Sequence, residues 1–151
     1  IENFGFSVYD KSITNEILEH FPNISIQLPF NIVNQDFKNL IKKTNIKTFL
    51  RSIFLQGLLV SNKIKDFNIE LKLRHELYLK YIKDRKINPI HLSLDFINLQ
   101  KKIDYVIFGV KNIYQLNEIL NYKSKKKFDE ENINNIREIL IDFGYPQKWI
   151  N

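Results

Sequence analysis

Two patterns of apolar residues alternate along the chain. Short runs rich in β-branched and aromatic residues are typical of strands, and stretches with apolar residues three or four positions apart are typical of helices. Strands are predicted over residues 4–9, 24–28, the first half of 47–61, and 104–109. Helices are predicted over residues 13–20, 36–45, 69–86, 89–97, 113–120 and 129–143.

Polar residues in front of the helical stretches indicate where several helices begin. Asp10 or Ser12 can cap the first helix and Asn112 the fifth, because their side-chain oxygens accept hydrogen bonds from free backbone N–H groups. Asn88 followed by Pro89 is a further start signal, since proline suits the first helical position.

Apolar stripes predict which helix faces are buried. We expect core packing from two stripes, which are Leu73, Leu77 and Tyr81, then Ile133, Ile136 and Leu140. Ile90, Leu94 and Ile97 share one face of the helix between them. Trp149, near the end of the chain, is predicted to anchor the tail, with closure of a substrate pocket as the alternative.

Four successive strand and helix units favour an α/β fold with a parallel sheet, in one domain that spans residues 1–151. Four parallel strands leave two free edges, whereas a closed barrel has none. We therefore expect one of three arrangements. Further strand and helix units outside this sequence complete the sheet, or the chain dimerises, or the four units form an unusual open sheet. Since the chain begins at Ile1 and contains no Met, we also expect it to be part of a longer protein.

Composition narrows the function classes. The absence of cysteine excludes disulfides, thiolate metal sites and a Cys nucleophile, and His20, His75 and His91 lie on different predicted helices, so no metal site is predicted. No apolar run is long enough to span a membrane, which favours a soluble cytoplasmic protein without a membrane partner. The net charge of +6 includes a lysine cluster at residues 123–127. Without a nucleic-acid-binding pattern, a solvated surface is favoured over polyanion binding.

Two segments are candidate binding sites. In residues 47–61 a buried strand opens into a turn that contains Gly57, so backbone groups can face a ligand at the carboxyl end of the sheet. Residues 109–112 precede a helix, whose free N–H groups and positive dipole end favour an anion. From the residues alone, structural roles are favoured, with Ser7 and Gln27 as ordinary polar residues at strand ends, Gly57 as a turn glycine and Gly109 as a loop glycine.

Four segments carry a family resemblance. They are residues 5–9 (Gly-Phe-Ser-Val-Tyr), 26–31 (Ile-Gln-Leu-Pro-Phe-Asn), 51–59 (Arg-Ser-Ile-Phe-Leu-Gln-Gly-Leu-Leu) and 109–118 (Gly-Val-Lys-Asn-Ile-Tyr-Gln-Leu-Asn-Glu). In this order and at this spacing they resemble the C-terminal half of the aldo/keto reductases, which are nicotinamide-dependent (β/α)₈ barrels. The resemblance implies half of a TIM-type (β/α)₈ barrel, with four parallel strands each followed by a helix, plus a C-terminal helix.

The resemblance also implies cofactor contacts at the first three strand ends. Ser7 and Gln27 match the residues that hold the nicotinamide carboxamide, and Val8 stands where the family usually has Asn. Arg51 falls where many members place a Tyr that stacks on the nicotinamide ring. A guanidinium plane can also stack, but its charge favours the reduced cofactor or an anionic substrate. The loop matched to the pyrophosphate comprises Ser52, Ile53, Phe54, Gln56 and Gly57.

The fourth strand end is similar to the adenosine end of the family's site. By resemblance, Gly109, Val110, Lys111 and Asn112 meet the cofactor at a helix N-terminus, Lys111 and Gln115 lie by the 2′-phosphate, and Glu118 lies by the adenine amine. This implies NADP or NAD as the cofactor.

The family's catalytic Tyr, Asp, Lys and His all belong to the first half of the barrel, so no catalytic residue is predicted in this chain. Tyr9 is not assigned that role, because it follows the strand matched to the fifth of the barrel and has no Lys partner. The implied function is the cofactor-binding half of an NAD(P)-dependent oxidoreductase that reduces a small carbonyl substrate when a missing N-terminal half-barrel is present. The alternative is a non-catalytic half-barrel that acts by self-association or binding.

Overall fold

The computed structural model describes residues 1, 4–43, 46–62, 67–100, 102–124, 130–146 and 149. Several predicted features fall partly outside these residues. They are the end of the second helix at Asn45, the start of the last helix at Asp129, most of the lysine cluster, and residues 147 and 148 of the tail.

Four parallel strands form one sheet in sequence order. The strands are β1 (Gly5–Ser7), β2 (Ser25–Pro29), β3 (Thr48–Arg51) and β4 (Tyr105–Val106). The predicted parallel order is therefore confirmed. Both outer strands are shorter than the sequence predicts, because β1 and β4 each have a neighbour on one side only.

The described residues also form six α-helices. They are α1 (Lys11–His20), α2 (Lys38–Lys43), α3 (Ile69–Asp84), α4 (Pro89–Asn98), α5 (Ile113–Leu120) and α6 (Glu130–Leu140). Short 3₁₀ turns follow at Leu55–Gly57 and Ile141–Phe143. The cap predictions are confirmed: Asp10 accepts from Ser12 and Ile13, Asn88 from His91, and Asn112 from Gln115.

The sheet has one buried face and one open face. Side chains alternate along each strand, so Ile26 and Leu28 of β2 and Leu50 of β3 point into the core with the helices. The cross-strand row Ser7, Gln27, Phe49 and Tyr105 lies on the opposite face, where Arg51 is also placed. This open face therefore carries the predicted polar site residues of the inner strands.

The predicted core stripe of α3 is wrong. Leu73 and Leu77 are 56% and 54% exposed, and Tyr81 is only partly buried. The buried residues of this helix are Leu71, His75, Tyr78 and Ile82. A histidine interrupts this second stripe, so the apolar pattern alone favoured the wrong face. In contrast, Ile133, Ile136 and Leu140 of α6 are buried as predicted.

The face of α4 that carries Ile90, Leu94 and Ile97 is only partly buried. Ile97 is buried, whereas Ile90 and Leu94 are only partly so, and Leu92 and Phe96 supply more of the buried surface. The ring of Phe96 stacks on Phe30 at 5.4 Å between centroids, which ties α4 to the chain beyond β2.

Candidate functional site

A groove of about 1020 Å³ lies at the carboxyl ends of β3 and β4. It is bounded by the loop after β3, the segment after β4 and the start of α5. Eleven of the predicted site residues line it: Arg51, Ser52, Ile53, Phe54, Gln56, Gly57, Gly109, Val110, Lys111, Gln115 and Glu118. We call it the main groove.

The loop after β3 has an uncommon backbone conformation. Positive φ angles occur at Ser52 (57°), Leu55 (49°), Gln56 (51°) and Gly57 (92°). Such angles are unfavourable for residues other than glycine and concentrate at functional sites. A Cβ on Gly57 would meet nothing within 4 Å, so the backbone angle, rather than crowding within the protein, favours glycine here.

Free backbone donors accompany this conformation. Leu55 N–H donates to the Ser52 carbonyl at 2.8 Å and Gly57 N–H to the Phe54 carbonyl at 2.9 Å. Within the part of the chain that the structure describes, the N–H groups of Ile53, Phe54 and Gln56 have no protein acceptor. Grouped N–H donors in a turn of this kind can bind an anion such as a phosphate.

Asn31 supports the loop from β2. Its side-chain oxygen accepts from the N–H groups of Val33 and Asn34 at 2.9 and 2.8 Å, and its amide nitrogen donates to the Ser52 carbonyl at 3.0 Å. Sequence reasoning did not assign it a site role. Its position just after Pro29 and Phe30 was the available signal, because Asn side chains often hydrogen-bond the backbone at strand ends.

Two buried side chains of α3 hold the other end of this loop. The ring Nε2 of His75 lies 3.0 Å from the Leu58 carbonyl oxygen, and the hydroxyl of Tyr78 donates to the Leu59 carbonyl at 2.5 Å. Burial lowers the pKa of His75, so the neutral ring donates its Nε2 proton to Leu58. Burial also raises the pKa of Tyr78, which keeps the hydroxyl protonated as a donor. The sequence analysis did not assign His75 or Tyr78 to the core or to the support of this loop.

Two hydrogen bonds organise the start of α5. Asn112 accepts from the Gln115 N–H at 3.0 Å, and the Gln115 side-chain oxygen accepts from the Lys111 N–H at 2.8 Å. Asn112 does not line the main groove. In this arrangement Asn112 acts as a helix cap, while the Gln115 amide nitrogen and the exposed Lys111 remain available to a ligand.

Ser7 and Gln27 are brought together on the open face of the sheet. The Ser7 hydroxyl donates to the Gln27 side-chain oxygen at 2.9 Å. Neither residue lines the main groove. The pair can still offer the Gln27 amide nitrogen as a donor and the Ser7 oxygen as an acceptor, which matches the two groups of a carboxamide.

Arg51 lies between the main groove and a second groove of about 480 Å³, which we call the side groove. Its guanidinium carbon is 3.9 Å from the centre of the Tyr9 ring, and its Nη2 donates to the Val8 carbonyl at 3.2 Å. Ser52 and Gln56 also border both grooves. Sequence reasoning considered Tyr9 only as a catalytic acid and did not anticipate this stacking contact.

Trp149 closes one side of the main groove. It is buried, its indole N–H donates to the Phe143 carbonyl at 2.9 Å, and its ring meets Phe67 edge-on at 5.3 Å. The bond to Phe143 agrees with the anchoring role predicted for Trp149, and closure of a substrate pocket stays a prediction.

Two features are absent from the described part of the chain. Its His, Asp and Glu side chains form no group of three or more that could hold a metal ion. None of its helices is both long and apolar enough to cross a membrane.

Parallel strands that alternate with helices, with a groove at their carboxyl ends, are typical of (β/α)₈ barrels. The sequence model of the aldo/keto reductase family matches residues 1–141, and the chain belongs to this family. No curated protein matches the sequence.

Solved structures agree on the fold. The chain is similar to the aldo-keto reductase AKR11C1 from Bacillus halodurans, with a TM-score of 0.65, 18% identity and 92% of this chain covered for the holo form, and 0.67, 20% and 92% for the apo form. It is also similar to the glycerol dehydrogenase AKR11B4 from Gluconobacter oxydans, with a TM-score of 0.60, 15% identity and 95% covered. In each comparison the chain spans about half of the solved structure, namely 50%, 51% and 50%.

Proposed function

We propose that this chain is the cofactor-binding half of an NAD(P)-dependent aldo/keto reductase that reduces a carbonyl to an alcohol. One observation carries the proposal: the loops after β3 and β4 line a single groove that contains free backbone donors and Lys111. A dinucleotide needs this combination, because its pyrophosphate is anionic and a 2′-phosphate would add further charge.

The residues present fit such a cofactor. Backbone N–H groups of Ile53, Phe54 and Gln56 would hold the pyrophosphate, and Lys111 with the Gln115 amide would contact a 2′-phosphate. Glu118 lines the same groove on α5, where it can accept from an adenine amine. At the other end, Ser7 and Gln27 would orient the carboxamide, and Arg51 would lie beside the nicotinamide ring.

The protein's part in the reaction is to bind and orient. The cofactor, when bound, supplies hydride transfer to the carbonyl. In this proposal the chain fixes the position of the nicotinamide ring, and the residues that hold and transfer the proton lie in a preceding half-barrel. We therefore expect no turnover from this chain alone.

Nucleotide-dependent stabilisation tests the proposal. At a concentration one hundred times its dissociation constant, NADPH should raise the free energy of unfolding of the full chain by about 2.7 kcal/mol. Denaturant unfolding with and without NADPH measures this increase. An unchanged unfolding curve at millimolar NADPH would contradict the proposal.

Lys111→Ala tests the assignment of the phosphate end. We expect it to weaken NADPH binding more than NADH binding, since NADH lacks the 2′-phosphate. Lys80→Ala, at an exposed position of α3 outside both grooves, is the matched control and should change neither affinity. Gln27→Ala should weaken both dinucleotides alike. Equal losses for NADPH and NADH in the Lys111 variant would remove its assignment.

A second candidate function is a non-catalytic assembly module. Large apolar side chains that are exposed at both edges of the sheet favour this candidate. They are Phe4, Phe6 and Phe21 in and beside β1, and Tyr105 and Ile107 in and after β4. Sedimentation of the full chain distinguishes the candidates. Concentration-dependent association without NADPH binding would favour the module, and NADPH binding would favour the reductase half.

A further inference from the structure

We infer that the side groove binds the carboxylate of an acidic carbonyl substrate, with Arg51 as its partner. This inference rests on the proposed function, because it places the substrate beside the nicotinamide end of the main groove. It goes further in naming the chemical class of the substrate.

The charge of Arg51 is the first observation. Its side chain is only partly exposed, and it contacts the neutral Val8 carbonyl and the Tyr9 ring. The only salt bridge among the described residues joins Lys11 to Asp36. The described chain therefore gives Arg51 no carboxylate, although burying part of a cation favours one.

The lining of the side groove is the second observation. Within the described residues, Arg51 is the only formally charged side chain that borders it. The two asparagines in its wall are buried and already engaged: Asn31 bonds the backbone of Val33, Asn34 and Ser52, and Asn34 donates to the Gly144 carbonyl at 3.3 Å. A ligand here meets a neutral wall and one positive charge.

The orientation of the guanidinium is the third observation. Stacking on Tyr9 and the bond to Val8 fix the plane of the group, which leaves further N–H donors for a ligand. An oriented guanidinium can bind a carboxylate through two parallel hydrogen bonds, and pre-orientation reduces the entropy lost on binding. A single lysine would offer neither feature.

The connection between the grooves is the fourth observation. Arg51, Ser52 and Gln56 border both, so a molecule in the side groove would lie next to the end of the main groove that is remote from Lys111. A carboxylate on Arg51 would hold an adjacent carbonyl close to that end.

Oxamate is the probe, because it carries a carboxylate next to a carbonyl that hydride does not reduce, and acetamide is the neutral control. Titration of the full chain, followed by NMR of the Arg side-chain N–H groups, should show oxamate binding with and without saturating NADPH. Binding of acetamide at the same concentrations would overturn the inference.

Two arginine variants provide the matched comparison. Arg51→Gln should raise the oxamate dissociation constant about tenfold or more, since it removes a charge-assisted pair. Arg85→Gln should leave it unchanged, because Arg85 stacks on Tyr81 at a similar distance of 4.0 Å but borders neither groove. If Arg51→Gln fails to fold, Arg51→Lys retains the charge and should give a smaller loss. Equal effects of the Arg51 and Arg85 variants would overturn the inference.

The oxamate titration with NADPH distinguishes the carboxylate inference from the reductase proposal. If NADPH displaces oxamate competitively, Arg51 belongs to the nucleotide site and the inference fails while the reductase proposal stands. If oxamate binds through Arg51 but NADPH does not bind at all, the carboxylate site is supported and the reductase proposal fails.

Discussion

The two inner strands and the two outer strands of the sheet differ in how their side chains are covered. In β2 and β3, buried residues alternate with partly buried ones up to the buried Pro29 at the end of β2, because successive side chains point to opposite faces of the sheet. All three residues of β1 are exposed, and β4 has one exposed and one partly buried residue. The chain therefore supplies a core for its middle strands and leaves both edge strands largely exposed.

The loop after β3 and the segment after β4 also differ in how the rest of the chain supports them. The loop after β3 is strained, and it is held by Asn31 on one side and by His75 and Tyr78 on the other. The segment after β4 leads into α5, which buries none of its residues. One wall of the main groove is thus rigidly supported, whereas the other depends mainly on the cap of α5.

The largest expected effect tests the difference between inner and outer strands. Ile26 in β2 is 1% exposed and Ile107 just after β4 is 42% exposed. We expect Ile26→Ala to lower the free energy of unfolding by about 2 to 5 kcal/mol, because it leaves a cavity in the core. Ile107→Ala should change it by no more than about 0.5 kcal/mol. Urea unfolding measures both.

This pair uses one residue type and one substitution, so the change in side-chain volume is the same. A loss of more than about 2 kcal/mol in the Ile107 variant would show that this edge is already covered, for example by a second copy of the chain. Repeating the measurement at several protein concentrations identifies that case, since association makes stability depend on concentration.

A smaller effect is expected from replacing one glycine in the loop after β3 and one in the segment after β4. Gly57→Ala should cost about 1 to 2 kcal/mol, because a φ of 92° is unfavourable for any residue with a Cβ. Gly109→Ala should change stability by less than about 0.5 kcal/mol, since its added Cβ would meet nothing within 4 Å and its φ is not positive. Thermal unfolding of both variants checks this, and similar values would indicate that the β3 loop is not strained.

Sequence reasoning predicted the fold well where local signals were strong. The parallel sheet, the caps at Asp10, Asn88 and Asn112, and the buried face of α6 were derivable from residue patterns, and the family resemblance added the order of the strands. Two of the four strand-end motifs, residues 51–59 and 109–118, also contain 12 of the 21 residues that line the main groove. Local hydrogen bonding and periodicity largely determine the caps and the buried helix face, whereas the residues of the groove were assigned through the family resemblance.

Contacts between distant segments could not be predicted in the same way. The buried face of α3 contains His75, which packs there because the Leu58 carbonyl, 17 residues earlier, needs a donor. The stacking of Arg51 on Tyr9 joins residues at the ends of different strands. Neither contact leaves a periodic signal, which is why the core stripe of α3 was assigned to Leu73 and Leu77 and why the side groove was missed.

The smallest expected effect is a pH dependence of the free energy of unfolding, which arises from His75 beneath the loop after β3. Burial lowers the pKa of His75 in the folded chain below the ordinary 6.5, so the unfolded chain binds the proton more readily. Its contribution is therefore fully present above pH 6.5 and is lost as the pH falls below that value, by at most about 1.4 kcal/mol per pH unit. Urea unfolding at pH 7.5, 6.5 and 5.5 should show this slope in the wild type. His75→Gln keeps an amide donor for Leu58 but does not titrate, so its slope should be smaller, and equal slopes in both proteins would show that His75 is not the group responsible.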